Sequence, residues 1–174
     1  MPGLRMTAGE EQGDEGNAPQ ARGDRMITRV IFDIPASVMA EPGTRSTPGF
    51  WKRVTETSKE LLRPIRDALI TSGMKVSEPG GGKPWGSGFT VGEGPSRVDV
   101  FFFPYMDEDR DHCWVGDIRI TEVWPWWTFL TMGYTATPQQ IEMIGKVTAV
   151  LETQLKANPA FTDIQWNPPE KDEH

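Results

Sequence analysis

The chain has 174 residues, 37% of them hydrophobic and 25% charged, with a formal net charge of −7. That length suits one domain with a real hydrophobic core, and the acidic balance disfavours nonspecific binding to a polyanion such as nucleic acid. A single cysteine, Cys113, excludes an intramolecular disulfide framework. No apolar run approaches the roughly 20 residues that span a bilayer, and the first 25 residues have no apolar segment of the signal-peptide kind, so a cytoplasmic protein is expected.

Residues 1–25 are rich in Gly, Glu, Asp, Gln and Pro and contain no aromatic residue. Such a segment cannot bury enough apolar surface to order itself, and Met26 is a candidate natural start. Its Arg22-Gly23-Asp24 triplet is too short a motif to carry function by itself. Met26 to Ile34 reads as a strand, with Thr28, Val30, Phe32 and Ile34 on one face. A Pro/Gly/Ser/Thr connection follows Pro35. Thr47-Pro48 then opens a helix, with a capping residue before a proline at the first helical position. Trp51, Val54, Leu61, Leu62, Ile65 and Leu69 recur at helical spacing. Pro64 is expected to kink or split this helix, and Gly73 to cap its C-terminus.

Met74–Ser77 reads as a short strand and Pro79–Pro84 as a turn. Trp85–Val91, Arg97–Tyr105 and Cys113–Val123 read as strands of an antiparallel meander. Thr137-Pro138-Gln139-Gln140 has the capping-box form, and Ile141, Ile144, Val147, Val150, Leu151 and Leu155 make the stripe of a second helix. Asn158-Pro159 ends it, and Phe161–Trp166 returns as a last strand. The expected order, β-α-β-β-β-β-α-β, is an α+β fold: an antiparallel sheet of five to six strands with two helices on one face. The domain spans 26–166, between a tail over 1–25 and a polar tail over 167–174.

The familiar catalytic and cofactor motifs fail on inspection. Gly82-Lys83 is followed by Pro84 rather than Ser or Thr, and Gly86-Ser87-Gly88 has no glycine three residues on. Asp107, Asp109 and Asp111 have calcium-loop spacing, yet His112 stands where glycine is needed and Ile118 where glutamate is needed. His112 and Cys113 point to opposite faces of a strand and make no catalytic pair. Asp99, Asp117 and Glu122 sit on strands, and Asp117 shares a face with Arg119. No spacing singles out an acid and a base. No catalytic residue, metal or cofactor is therefore expected.

Two features remain. Met106 to His112 is the one dense charge cluster, a hairpin tip that reads either as a plain solvated turn or as the presentation of Asp107, Glu108, Asp109 and Asp111 to a basic partner. Four of the seven tryptophans lie between 114 and 127. Trp114 and Trp124 fit the strand alternation and belong to the core. Trp126 and Trp127 lie beyond Pro125, outside it, and can anchor a partner. The strand through Phe101, Phe103 and Tyr105 is apolar on both sides, so its second face needs a cover: the Trp-rich loop, a second subunit or a partner. Basic residues concentrate at 45–75, seven against three acidic, and acidic ones at 85–123, eight against three basic.

The Trp85-Gly86-Ser87-Gly88-Phe89 run, the Arg97–Tyr105 and Trp114–Ile120 strands and an α+β core of this size resemble the bacterial polymorphic-toxin immunity proteins in general build, over residues 26–166. No motif of a named immunity family is matched, so no functional residue carries over. The resemblance implies a non-catalytic inhibitor that neutralises a basic toxin domain through an acidic and aromatic surface. Two alternatives stand beside it. One is a small-ligand pocket built from Trp85, Trp126, Trp127 and Tyr134. The other is a homodimeric structural or accessory protein joined through the second sheet face. Neither nucleic acid nor membrane is an expected partner.

Overall fold

The computed structural model describes residues 28–39, 48–83, 86–110, 113–123 and 135–168. β1 (Thr28–Ile34) buries Val30, Phe32 and Ile34, one parity of a β-branched and aromatic run. α1 (Pro48–Thr71) buries Phe50, Val54, Leu62, Ile65 and Leu69. Pro64 does not split it: the helix runs unbroken through that residue. Both Pro64 and Glu60, whose carbonyl loses its amide partner, are exposed, so water can satisfy the freed group. The helix ends in a Schellman motif. The Met74 amide donates to Leu69 O at 3.1 Å and the Gly73 amide to Ile70 O at 2.9 Å. Gly73 takes φ +81°, which costs glycine little.

The second strand is displaced from its expected place. Met74–Ser77 makes only an isolated bridge, Val76 to Val91. β2 is instead Gly80–Lys83, within the run that reads as a turn. An edge strand of glycines offers no side-chain alternation to read, and its ladder rests on backbone groups alone. β3 (Gly86–Val91), β4 (Val98–Asp107) and β5 (Cys113–Glu122) complete the meander, with a 3-10 turn at Gly94–Ser96. Pro104 lies inside β4, opposite Gly116. β3 begins at Gly86, and its register reaches Phe102 from Ser87.

α2 (Pro138–Ala157) forms as its capping box predicts. The Gln140 amide donates to Thr137 Oγ1 at 3.1 Å and the Thr137 amide to Gln140 Oε1 at 2.9 Å. The Gln140 side-chain amide then donates to Arg97 O and Val123 O, both at 3.1 Å, which ties the start of α2 to the ends of β4 and β5. β6 (Thr162–Trp166) closes the chain onto β1.

Among the described residues six strands lie in the order β2-β3-β4-β5-β1-β6, with every adjacent pair antiparallel. α1 packs over β3 and β4, and α2 over β4 and β5. The fold is thus α+β, one antiparallel sheet with two helices on one face. The core between them holds Phe32, Phe102, Ile118, Ile120 and Trp114, the last stacked on Phe50 at 6.1 Å between ring centroids. Trp114 is a core residue, as its parity predicts. Gly116 sits at the centre of this layer. A Cβ there would come within 2.6 Å of the Phe32 ring and 2.9 Å of the Phe102 ring.

Gly116→Ala is expected to destabilise the fold by about 1–3 kcal/mol through overpacking. Gly145→Ala, in α2 with nothing within 4 Å of its Cβ position, is expected to stabilise it by about 0.5–1 kcal/mol. Urea unfolding midpoints for the two variants should move in opposite directions.

Candidate functional site

The face of the sheet away from the helices is built in rows by strand register. Thr90, Asp99 and Thr121 form the first row. Gly88, Phe101, Arg119 and Arg29 form the second. Phe103, Asp117, Ile31 and Gln165 form the third, and Tyr105, Val115 and Asp33 the fourth.

The centre of this face is electrostatic. Asp117 is 2% exposed. Its Oδ1 accepts from Arg29 Nε at 3.0 Å and its Oδ2 from Arg29 Nη2 at 2.9 Å. Arg119 donates to the same Oδ2 from Nε at 3.2 Å and Nη2 at 2.9 Å. Arg29 and Arg119 are direct cross-strand neighbours, an arrangement that like charge alone would oppose. The buried carboxylate between them makes it favourable. Arg119 also lies over the Phe103 ring, 5.6 Å from its centroid, a cation–π contact.

Beside the arginines lies an aromatic strip. Phe101 and Phe103 stack at 6.0 Å, 27° between planes. Both rings lean over β3, where a Cβ on Gly88 would meet Phe101 Cδ1 at 2.8 Å and one on Gly86 would meet Phe103 Cδ1 at 3.0 Å. Phe101 remains 38% exposed and Tyr105 40%. Burial, then the nearby Asp117 carboxylate, push the Tyr105 hydroxyl above its ordinary pKa.

The acidic tip stands beyond the fourth row. Asp107 is the last residue of β4 and is half-buried. Its Oδ1 accepts from the Asp109 amide at 3.1 Å, so it shapes the turn. Glu108 and Asp109 are exposed. Arg110 braces the tip against the sheet, donating to Asp33 Oδ2 at 2.6 Å on β1 and to Asp163 Oδ2 at 3.0 Å on β6. Asp111 lies outside the described residues, as do Trp85, Trp124, Trp126, Trp127 and Tyr134. The structure thus brings Asp107, Glu108 and Asp109 together on one hairpin.

Sequence reading found Asp117 beside Arg119 but missed Arg29, which is 88 residues from Asp117 and becomes its neighbour only through the strand order. It also missed the brace, because Arg110 reads as one charge within an acidic loop. Among the described residues no group of three or more His, Cys, Asp or Glu side chains could hold a metal ion, and no helix is long and apolar enough to cross a membrane. On the helix side, a groove of about 450 Å³ runs between α1 and the C-terminal end of α2, lined by Leu61, Ile65, Leu155, Pro159 and Phe161 among others.

Comparison with protein-family models, with curated proteins and with solved structures finds no match to the chain.

Asp117→Ala leaves two guanidinium groups side by side without their carboxylate. Both are partly solvated, at 25% and 44% side-chain exposure, so the expected loss is discounted to about 1–3 kcal/mol. Asp117→Ala combined with Arg119→Ala should recover part of it in urea unfolding. A double variant less stable than Asp117→Ala would contradict the like-charge account.

Cys113, at the base of the tip, has its thiol pKa raised by burial and by the Asp33 carboxylate, with Arg110 opposing. The folded protein therefore holds this proton more tightly than the unfolded chain. The resulting stabilisation is complete below the ordinary thiol pKa and is lost as pH rises through it toward the folded value. Thiolate absorbance during alkaline titration should rise at higher pH in the folded protein than in urea.

Proposed function

We propose that the chain is a non-catalytic, cytoplasmic binding protein, an immunity-type inhibitor that neutralises a toxin domain. The observation that carries this reading is the braced acidic tip. Arg110 spends its charge on Asp33 and Asp163, while Glu108 and Asp109 stand exposed on a hairpin fixed to two further strands. A preformed acidic projection binds without a large ordering cost, and its charge favours a basic partner. Asp111, next to the tip in sequence, and Trp126 and Trp127, which follow β5 in sequence, make up the acidic and aromatic remainder of the proposed surface.

The test uses the purified chain and the product of a toxin-like reading frame encoded beside it, with affinity measured by calorimetry. Glu108→Lys with Asp109→Lys should weaken binding about tenfold or more, and affinity should fall as salt rises. An affinity indifferent to both would remove the tip from the interface. Trp126→Ala with Trp127→Ala should weaken binding while leaving the melting temperature near wild type. A large drop in melting temperature would assign both rings to the core instead.

A further inference from the structure

We propose that Arg110 is a positioning residue for the acidic tip, one whose effect on partner binding runs opposite to its charge. The inference rests on the proposed binding role of the tip and adds what sets the affinity of that site.

By charge alone Arg110 is misplaced. It is the one arginine in the run Asp107-Glu108-Asp109-Arg110-Asp111, and its positive charge weakens the attraction of that run for a basic partner. Its surroundings give it another use. One nitrogen, Nη2, donates to carboxylates on two strands, Asp33 Oδ2 on β1 at 2.6 Å and Asp163 Oδ2 on β6 at 3.0 Å.

Both anchors are fixed in their turn. Asp33 stands opposite Val115 of β5 and Thr162 of β6 in the sheet register. Asp163 takes φ +50°, in the left-handed region that aspartate enters more readily than most residues, and its Oδ1 accepts from Gln165 Nε2 at 3.0 Å. The β1–β6 ladder shifts register between Ile31 and Asp33, and beside this irregularity both carboxylates reach one guanidinium. The turn also has local bonds: the Asp109 amide donates to Asp107 Oδ1 and the Cys113 amide to Arg110 O, both at 3.1 Å. These close the turn without tying it to β1 or β6, as the Arg110 side chain does.

A partner that meets a swaying tip must order it, at a cost in affinity that a held tip avoids. Charge steering acts mainly on the association rate, and differences in fit mainly on dissociation. Loss of Arg110 therefore makes the tip more acidic and yet a weaker binder.

The test measures binding kinetics by surface plasmon resonance, against the purified product of the toxin-like reading frame encoded beside the chain. Arg110→Ala should bind about three- to tenfold more weakly, a modest change because the pairs are partly exposed. The loss should lie in the dissociation rate, with the association rate unchanged or raised. Arg110→Lys, whose ammonium can donate to both carboxylates, should recover part of it. In the free chain, hydrogen exchange of the Asp109 and Cys113 amides should quicken in Arg110→Ala, while that of Leu151, buried in α2, holds. Asp163→Asn, which removes the charge of one anchor, should quicken the same tip amides, so that misfolding of one variant leaves the other to decide. Arg110→Ala binding as tightly as wild type, or more tightly, overturns the inference and leaves the inhibitor role standing. Unchanged exchange of the tip amides in both variants overturns it too, since the tip is then held without Arg110. A wild-type chain that does not bind the product, or binding indifferent to Glu108→Lys with Asp109→Lys, removes the binding role of the tip and with it this effect on affinity. The exchange measurement then still decides whether Arg110 holds the tip.

Discussion

A single backbone position, Gly116, decides how the two halves of the sheet share a core. β5 joins the meander on one side to β1 on the other. At its middle the Phe32 ring from β1 and the Phe102 ring from β4 converge, 6.2 Å apart and nearly parallel. The space they occupy is the space a side chain at 116 would need. Phe161, in the segment before β6, packs onto Phe32 in turn, 4.8 Å between centroids. The aromatic layer therefore runs continuously from β4 to the threshold of the last strand. Its continuity depends on the smallest residue lying at the one place where large ones meet.

The opposite surface of the same strand is governed by charge. Asp117, the next residue, gives up nearly all its solvent exposure, and two arginines from different strands compensate it. Buried pairs of this kind add little net stability against well-packed apolar residues. They do fix geometry, since each guanidinium is held by two directed bonds. Arg119 consequently stays over Phe103, and the aromatic strip keeps one arrangement. The order of this face and the order of the acidic hairpin are linked through β1, which carries Arg29 near one end and the Arg110 anchor, Asp33, near the other. Surfaces far apart in sequence are thereby mounted on one rigid strand.

What could be read from the sequence was local. α2 announces itself because its cap, proline and apolar stripe all lie within twenty residues and agree. β1, β4 and β5 are legible because a half-buried strand alternates, and that same alternation assigned Trp114 to the core. The misses have physical reasons. β2 is glycine-rich, so nothing in its side chains distinguishes a ladder from a turn. Pro64 breaks helices whose freed carbonyl is buried, and whether water reaches Glu60 is a tertiary fact. Of the candidate site, the acidic residues of the tip were visible as a cluster. Arg29 and Arg110 were not visible as members, because their partners come from strands that only the sheet order brings near. The aromatic half of that site, Trp126 and Trp127, lies outside the described residues.

The strand order carries a consequence for biosynthesis. β1 is made first, yet its hydrogen-bonding neighbours are β5 and β6. The ribosome must add roughly 90 residues after Ile34 before β5 is complete, which takes on the order of 5–20 seconds at ordinary elongation rates. Through that interval a segment of Val, Ile and Phe has no strand to pair with and is a natural seed for intermolecular association. α1, the long helix that follows, has many exposed charged residues and emerges next. A nascent chain of this design is shielded during synthesis less by its own sheet than by that charged helix and by whatever holds the emerging strand in the cell.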